Sequence, residues 1–333
     1  MWSKITGHPR QIEELRRALA SGRLPNAYLF SGPRGVGKRM TANALAAALA
    51  CTSGGADACG ACAGCRKVAA RNHPDVFTVE PEAIQPGWEP PPGKDKKPSE
   101  EIKIEQVRDL QSQLQFHPLE ARAKLAVVDE ADRMTEATAN SLLKIIEEPP
   151  QATHFVLISA APHALLPTIR SRCRRVEFGP LAEEDVALIL SEGGRASLPQ
   201  AMMIARLSGG SVGGALAIDP EFVVEVMNRF TTLRGKASGA DIIQTAEGWS
   251  HSEASELRLI FDLLASWYRD CLRYRTTGDN SSLIHPDAAR AAELMPIQRA
   301  ERAISEIAAA RRTLETTANK QLMFEHLLFT LTS

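Results

Sequence analysis

The sequence has no apolar run approaching the roughly 20 residues needed to cross a bilayer, which argues against a membrane-spanning helix. It has no excess of charge of either sign. The 39 Lys and Arg against 40 Asp and Glu leave a formal net charge of −1, so no global positive field pulls the chain onto nucleic acid. Any contact with DNA must be local or shared with partners. Met1-Trp2-Ser3-Lys4-Ile5 leads into no signal-peptide apolar core, so a cytoplasmic location is expected. No internal repeat and no heptad run stands out. The composition is that of an ordinary globular protein, 44% hydrophobic and 24% charged, and 333 residues suffice for two or three domains with their own cores.

The first half alternates strand-like and helix-like stretches. Gln11 to Ala20 has helical spacing, with Ile12, Leu15 and Leu19 on one side. The apolar run Ala27-Tyr28-Leu29-Phe30 leads into a glycine-rich turn, and an Ala-rich helix is predicted from Arg39 to Leu49. Asp75 to Val79, Lys124 to Val128 and His154 to Ser159 read as strands, and Ile102 to Leu114 as a helix. Thr135 can cap a helix running to Glu148, which Pro149-Pro150 stops. This alternation predicts a parallel sheet covered by helices. Pro81 to Glu100 is rich in Pro, Gly, Lys and Glu and is expected to be an exposed loop. From about Pro180 onward strand signals fade and helical patterns continue. There Leu257, Ile260, Phe261, Leu264 and Trp267 mark one apolar helix face, more in keeping with core than with a partner surface.

Gly32-Pro33-Arg34-Gly35-Val36-Gly37-Lys38 fits the G-x-x-x-x-G-K part of a phosphate-binding loop between a strand and a helix. Gly32, Gly35 and Gly37 let backbone N–H groups converge on phosphate, and Lys38 offsets its charge. Position 39 should carry the hydroxyl that ligates Mg²⁺, but it is Arg39, and a guanidinium cannot ligate a cation. Thr41 is a poor substitute, lying about 200° further around the helix. The alternative is that Arg39 points to solvent and water fills the missing ligand position. On the first reading, ATP or ADP is expected to bind, if at all, without efficient hydrolysis.

Leu125 to Val128 delivers Asp129 and Glu130 at a strand end, the arrangement in which one acid holds the metal and the other polarises the attacking water. The bland alternative is a pair of solvated acids. Of six cysteines, Cys51, Cys59, Cys62 and Cys65 have the spacing C-x₇-C-x₂-C-x₂-C. In a reducing compartment that spacing points to a closed, structural Zn²⁺ site, with an iron–sulfur cluster or a redox thiol pair as alternatives. Cys173 and Cys271 are isolated and read as buried thiols.

Val127 to Asp132, Asn140-Ser141-Leu142-Leu143-Lys144, Glu147-Glu148-Pro149-Pro150 and Leu166 to Cys173 together closely resemble the AAA+ subunits of bacterial DNA polymerase III clamp loaders. The cysteine cluster just after the P-loop helix resembles them too. The resemblance spans roughly Ile5 to Leu216. It implies a RecA-like AAA+ domain over residues 1–179 with the zinc module at 51–65, a helical lid over 180–220 and an all-α collar over 221–333. It also implies a hetero-pentamer with gamma/tau ATPase and delta subunits that opens a sliding clamp and places it on primer–template DNA. Arg172, in a Ser-Arg-Cys context, looks like an arginine finger acting on the neighbouring subunit's ATP. Outside that context it would read as one of a surface patch with Arg170, Arg174 and Arg175. Ser159 falls near the family's sensor-1 position.

The family contains ATPase motors of gamma/tau type and a delta-prime type whose own site is often inactive. Arg39 removes the Mg²⁺ hydroxyl, Gly213 stands where a motor carries a sensor-2 arginine, and the sequence stops at Ser333 without a tau-type extension. These features favour the delta-prime type, with no effective ATPase of its own and Glu130 vestigial. A gamma/tau-type motor is the alternative, kept open by Lys38, Asp129 and Glu130. A zinc-dependent DNA-binding module is weaker still, because Arg66, Lys67 and Arg71 lie near the cluster without an aromatic stacking platform.

Overall fold

Five strands form one sheet in the order β2-β3-β4-β1-β5, every neighbouring pair parallel. They are β1 (Ala27–Ser31), β2 (Val76–Val79), β3 (Lys124–Val128), β4 (Thr153–Ser159) and β5 (Arg174–Glu177). The computed structural model describes residues 1–90, 97–236, 238–280, 283–314 and 319–332. β1 and β3 are buried along their whole length, as strands covered on both faces must be. Six helices belong to the same unit: α1 (Pro9–Ala20), α2 (Lys38–Ala50), α3 (Ala63–Ala69), α4 (Ile104–Leu114), α5 (Glu136–Glu147) and α6 (Pro167–Arg172). The Thr135 hydroxyl accepts from the Thr138 N–H and caps α5 as expected. On one face Leu29, Ala126, Val128, Phe155 and Leu157 pack against Val107, Leu110 and Leu114 of α4 and Leu142, Ile145 and Ile146 of α5.

Parallel order puts the carboxyl ends of β1, β2, β3 and β4 along one edge, where the next residues are Gly32, Glu80, Asp129 and Ala160. The expected strands and helices agree with the observed ones to within a few residues. β5 is the one strand absent from the sequence-based expectation. It is short, and three of its four residues are exposed, so it lacks an apolar run.

The chain divides into two compact units, Met1–Ala182 and Glu183–Ser333. Nine helices make up the described part of the second: α7 (Glu183–Glu192), α8 (Leu198–Leu207), α9 (Val212–Ala217), α10 (Pro220–Lys236), α11 (Gly239–Ser250), α12 (Ala254–Thr277), α13 (Asp287–Leu294), α14 (Ile297–Thr313) and α15 (Lys320–Thr332). Leu257, Ile260, Phe261, Leu264 and Trp267, the predicted stripe, are all buried on α12. Around them Phe230 meets Trp267 edge-on at 5.6 Å, and Phe261 stacks on Phe324 at 5.3 Å. The Arg234 guanidinium lies 3.7 Å from the centre of the Trp267 ring. Tyr268 is fully buried, and its hydroxyl donates to the Leu331 carbonyl at 3.1 Å. Among the described residues no helix is long and apolar enough to cross a membrane. Residues 91–96 of the predicted Pro81–Glu100 loop lie outside the described part. Its first residues form a short 3₁₀ turn at Glu82–Ile84.

Candidate nucleotide site and cysteine cluster

β1 ends at Ser31 and the chain turns through Gly32 to Gly37 into α2, the expected strand–loop–helix. Gly32 has φ 143°, and a Cβ there would meet the Phe178 carbonyl oxygen at 2.0 Å, so glycine is required. Gly35 and Gly37 complete the turn, and the His8 ring Nε2 donates to the Val36 carbonyl at 2.7 Å. Lys38 Nζ is folded back onto the loop itself, donating to the Gly32 carbonyl at 2.6 Å and the Pro33 carbonyl at 2.5 Å. Burial holds its pKa below the ordinary lysine value, opposed by Asp129, Asp132 and Glu130. Thr41 is buried, and its hydroxyl donates to the Gly37 carbonyl at 3.0 Å, one turn back at the start of α2.

Arg39 is not turned to solvent. Its Nη1 lies 3.0 Å from Asp129 Oδ2 and 2.5 Å from Glu80 Oε2. Glu80 follows β2, is 2% exposed, and also takes Arg71 Nη2 on its other oxygen at 2.6 Å. Backbone pairing sets this geometry. Val79 faces Val128 in register and the Asp129 N–H donates to the Val79 carbonyl, which brings the next two side chains together. Burial pushes the Asp129 carboxyl up, and Arg39 draws it down. Glu130 has a left-handed backbone (φ 50°), and its carboxylate is held by Arg133 at 2.8 Å and Arg34 at 3.2 Å. Ser159 is buried, its hydroxyl accepting from the Ala161 N–H at 3.0 Å. Arg34, Lys38, Arg39, Asp129, Glu130 and Asp132 line a cavity of about 230 Å³.

Sequence reasoning missed Glu80, Arg71, Arg34 and Arg133 as members of this network. A signal existed for Glu80. It follows an apolar strand as Asp129 does, but Pro81 beside it reads as the start of a loop.

Arg172 ends α6 at the other end of the sheet. Arg174 pairs with Tyr28 near the start of β1, whereas Gly32 follows the end of that strand. The Arg172 guanidinium binds Glu147 at 2.7 Å and the Thr168 carbonyl at 3.1 Å, with the side chain 43% exposed. Ile169 and Cys173 on either side are buried in the sheet-face core and fix its position. Gly213 lies in α9 of the second unit and has no side chain to offer.

The four clustered cysteines are brought together. Their sulfur atoms all lie within 4.8 Å of one another. Cys51 follows α2, Cys62 caps α3 and Cys65 lies on α3. Backbone N–H groups point at the sulfurs: Cys59 N at Cys51, Cys62 N at Cys59 and Cys65 N at Cys62, at 3.3, 3.4 and 3.5 Å. Such donors favour thiolate, and those from Cys65 and Thr52 bring the Cys62 thiol down to about 5. Burial pushes Cys65 the other way, up to about 12. A four-sulfur cluster with amide donors and no open ligand position suits a structural ion such as zinc. Where α3 crosses α2, a Cβ on Gly64 would meet the Ala50 carbonyl oxygen at 2.1 Å. Cys173 and Cys271 are buried, as expected.

A family model described as "DNA polymerase III, delta subunit" matches residues 7–182, and one described as "DNA polymerase III, delta subunit, C terminal" matches residues 224–333. The chain is 29% identical over 333 residues to DNA polymerase III subunit delta' of Bacillus subtilis, covering 97% of this chain and 95% of that protein. It is 35% identical over 292 residues to subunit delta' of Pseudomonas aeruginosa, covering 85% and 78%. DNA polymerase III subunit tau of Escherichia coli is 31% identical over 228 residues, but there the match covers 67% of this chain and only 33% of that protein. Both units of the chain thus match along delta'-type sequences, whereas the likeness to tau stops partway. The chain belongs to the delta' subunits of the DNA polymerase III clamp loader.

Proposed function

We propose that this chain is the silent, finger-donating member of its clamp loader. In that role it hydrolyses no ATP effectively and presents Arg172 to the ATP held by a neighbouring gamma/tau-type subunit. The observation that carries the reading is the placement of Arg172. It is half-exposed, seated by buried Ile169 and Cys173, and lies at the end of the sheet opposite the P-loop of its own chain. A guanidinium so placed cannot reach that loop, but it can enter a site on another subunit. There it would neutralise charge developing on the γ-phosphoryl oxygens. Glu147 holds the side chain in the meantime and is readily exchanged for a phosphate.

The chain's own site supports the same reading. Lys38 is bonded to the loop carbonyls, the residue after it offers no hydroxyl, and Glu130 is engaged by two guanidinium groups. Cys51, Cys59, Cys62 and Cys65 hold Zn²⁺ in this proposal, with a structural role only. Gamma/tau and delta subunits are the direct partners, and the sliding clamp and primer–template DNA are reached through the assembled complex.

The test is steady-state ATP hydrolysis by the assembled loader carrying Arg172→Ala. Loss of one finger is expected to lower turnover, by as much as the 10³-fold or so typical of arginine fingers at the site it serves. The variant should leave the folding of the chain itself unchanged. Normal turnover by the variant complex would remove the finger assignment.

A further inference from the structure

Two acidic side chains, Asp129 after β3 and Glu80 after β2, stand together at the sheet edge, and both are largely buried. Neighbouring buried carboxylates repel unless a cation lies between them. In a working P-loop site a divalent ion does this at the strand-end acid, with the hydroxyl after the P-loop lysine completing its shell. Here the residue at that position reaches into the same place from α2. Arg39 spans the two carboxylates at 2.5 and 3.0 Å, and Arg71 closes the far side of Glu80 at 2.6 Å. Two guanidinium groups thus balance two carboxylates. The Glu80 backbone is also fixed, its carbonyl accepting from Gln85 at 3.0 Å and Gln106 at 2.9 Å. A divalent ion approaching Asp129 would meet a positive charge and find no hydroxyl, so this site and Mg²⁺ do not fit each other.

We propose that Arg39 is a covalently attached stand-in for the divalent cation: it does the structural work of Mg²⁺ between Asp129 and Glu80 and makes the site indifferent to metal. The inference deepens the reading of a silent site by naming what silences it. Replacing Arg39 by Ser removes the resident cation and supplies the missing hydroxyl. It leaves Asp129 and Glu80 facing each other, an arrangement that Mg²⁺ can enter.

The experiment is thermal unfolding of the full chain in Mg²⁺ or Mn²⁺ alone, without nucleotide or DNA, so its failure is distinguishable from failure of the hydrolysis reading. The wild-type Tm should not respond to either ion beyond an equal ionic strength of a monovalent salt. Arg39→Ser should lose several degrees and regain much of that loss saturably with Mg²⁺ or Mn²⁺. Arg39→Lys, which keeps a positive charge, should stay insensitive to the ions. Three results would overturn the proposal: saturable stabilisation of the wild type, an Arg39→Ser variant as stable as wild type without ions, or one whose loss no ion recovers. If Arg39→Ser does not fold in metal-free buffer, recovery either by Mg²⁺ or by adding Glu80→Gln, which removes the carboxylate repulsion, supports the proposal. Recovery by neither overturns it.

Discussion

Asp75 is a buried carboxylate whose two oxygens accept from the backbone N–H groups of Leu119, Glu120 and Ala121 at 2.7–2.8 Å. Burial alone would raise its pKa, but those three amides, with His73, hold it below the usual aspartate range. Asp75→Ala would leave the amides short of a partner and is expected to cost about 3 kcal/mol, a fall of roughly 10 °C in Tm. A loss under about 1 kcal/mol in urea unfolding would mean that water replaces the carboxylate. His285, in the second unit, has the opposite character. Its ring lies 2.7 Å from the Ser266 hydroxyl, and burial, opposed by Asp287, takes its pKa down to about 4. The folded imidazole therefore stays neutral while the unfolded one protonates near pH 6.5. Stability should fall as pH drops from about 6.5 to about 4, by as much as about 3 kcal/mol. Asp75 acts only at lower pH, because a depressed carboxylate loses its contribution as pH falls through the folded-state pKa. Urea midpoints of wild type and His285→Gln between pH 7 and 4 check the histidine. An equally steep decline in both would clear it.

At the scale of elements, the cysteine cluster is a contact between the end of α2 and the start of α3. Gly64 allows it, since a side chain there would strike the Ala50 carbonyl. Gly64→Ala is expected to push α3 away, cost about 2 kcal/mol and speed metal loss to a chromogenic chelator. Gly54, at φ 72° with nothing within 4 Å of its would-be Cβ, is the control. Alanine there meets only backbone strain of about 1 kcal/mol and should leave metal release nearly unchanged. Equal release from both variants would show that the α2–α3 contact does not shape the site. The element scale also explains Glu80. Neither β2 nor β3 alone makes a charge pair, and their register, Val79 opposite Val128, does.

For the molecule as a whole, the two units carry different work. The first holds both the altered P-loop and Arg172, at opposite ends of one sheet, and the second is a helical body with its own aromatic core. On the proposed reading the purified chain should show negligible ATP turnover with Mg²⁺ and primed DNA, and Lys38→Ala should change nothing. Clear turnover that Lys38→Ala abolishes would make the chain a motor despite Arg39. With the finger experiment in the assembled loader, this separates what the chain does for its neighbour from what it does alone.

The sequence by itself determined the local features. Apolar runs ending in acids, the glycines around Lys38, the Thr135 cap and the cysteine spacing each lie within a few consecutive residues, so chain geometry alone links them to a strand, a turn, a helix start and a four-sulfur cluster. The clamp-loader motifs were legible for the same reason. Only the tertiary structure decided what lies between those segments. Arg39 and Glu80 are far apart in the chain, and no period or spacing relates them. They meet because parallel strands β2 and β3 pair in one register and α2 runs beside their ends. β5 was invisible for a related reason: an exposed edge strand has no apolar run, and only pairing with β1 defines it. The distance between Arg172 and the P-loop likewise follows from strand direction, which no residue encodes on its own.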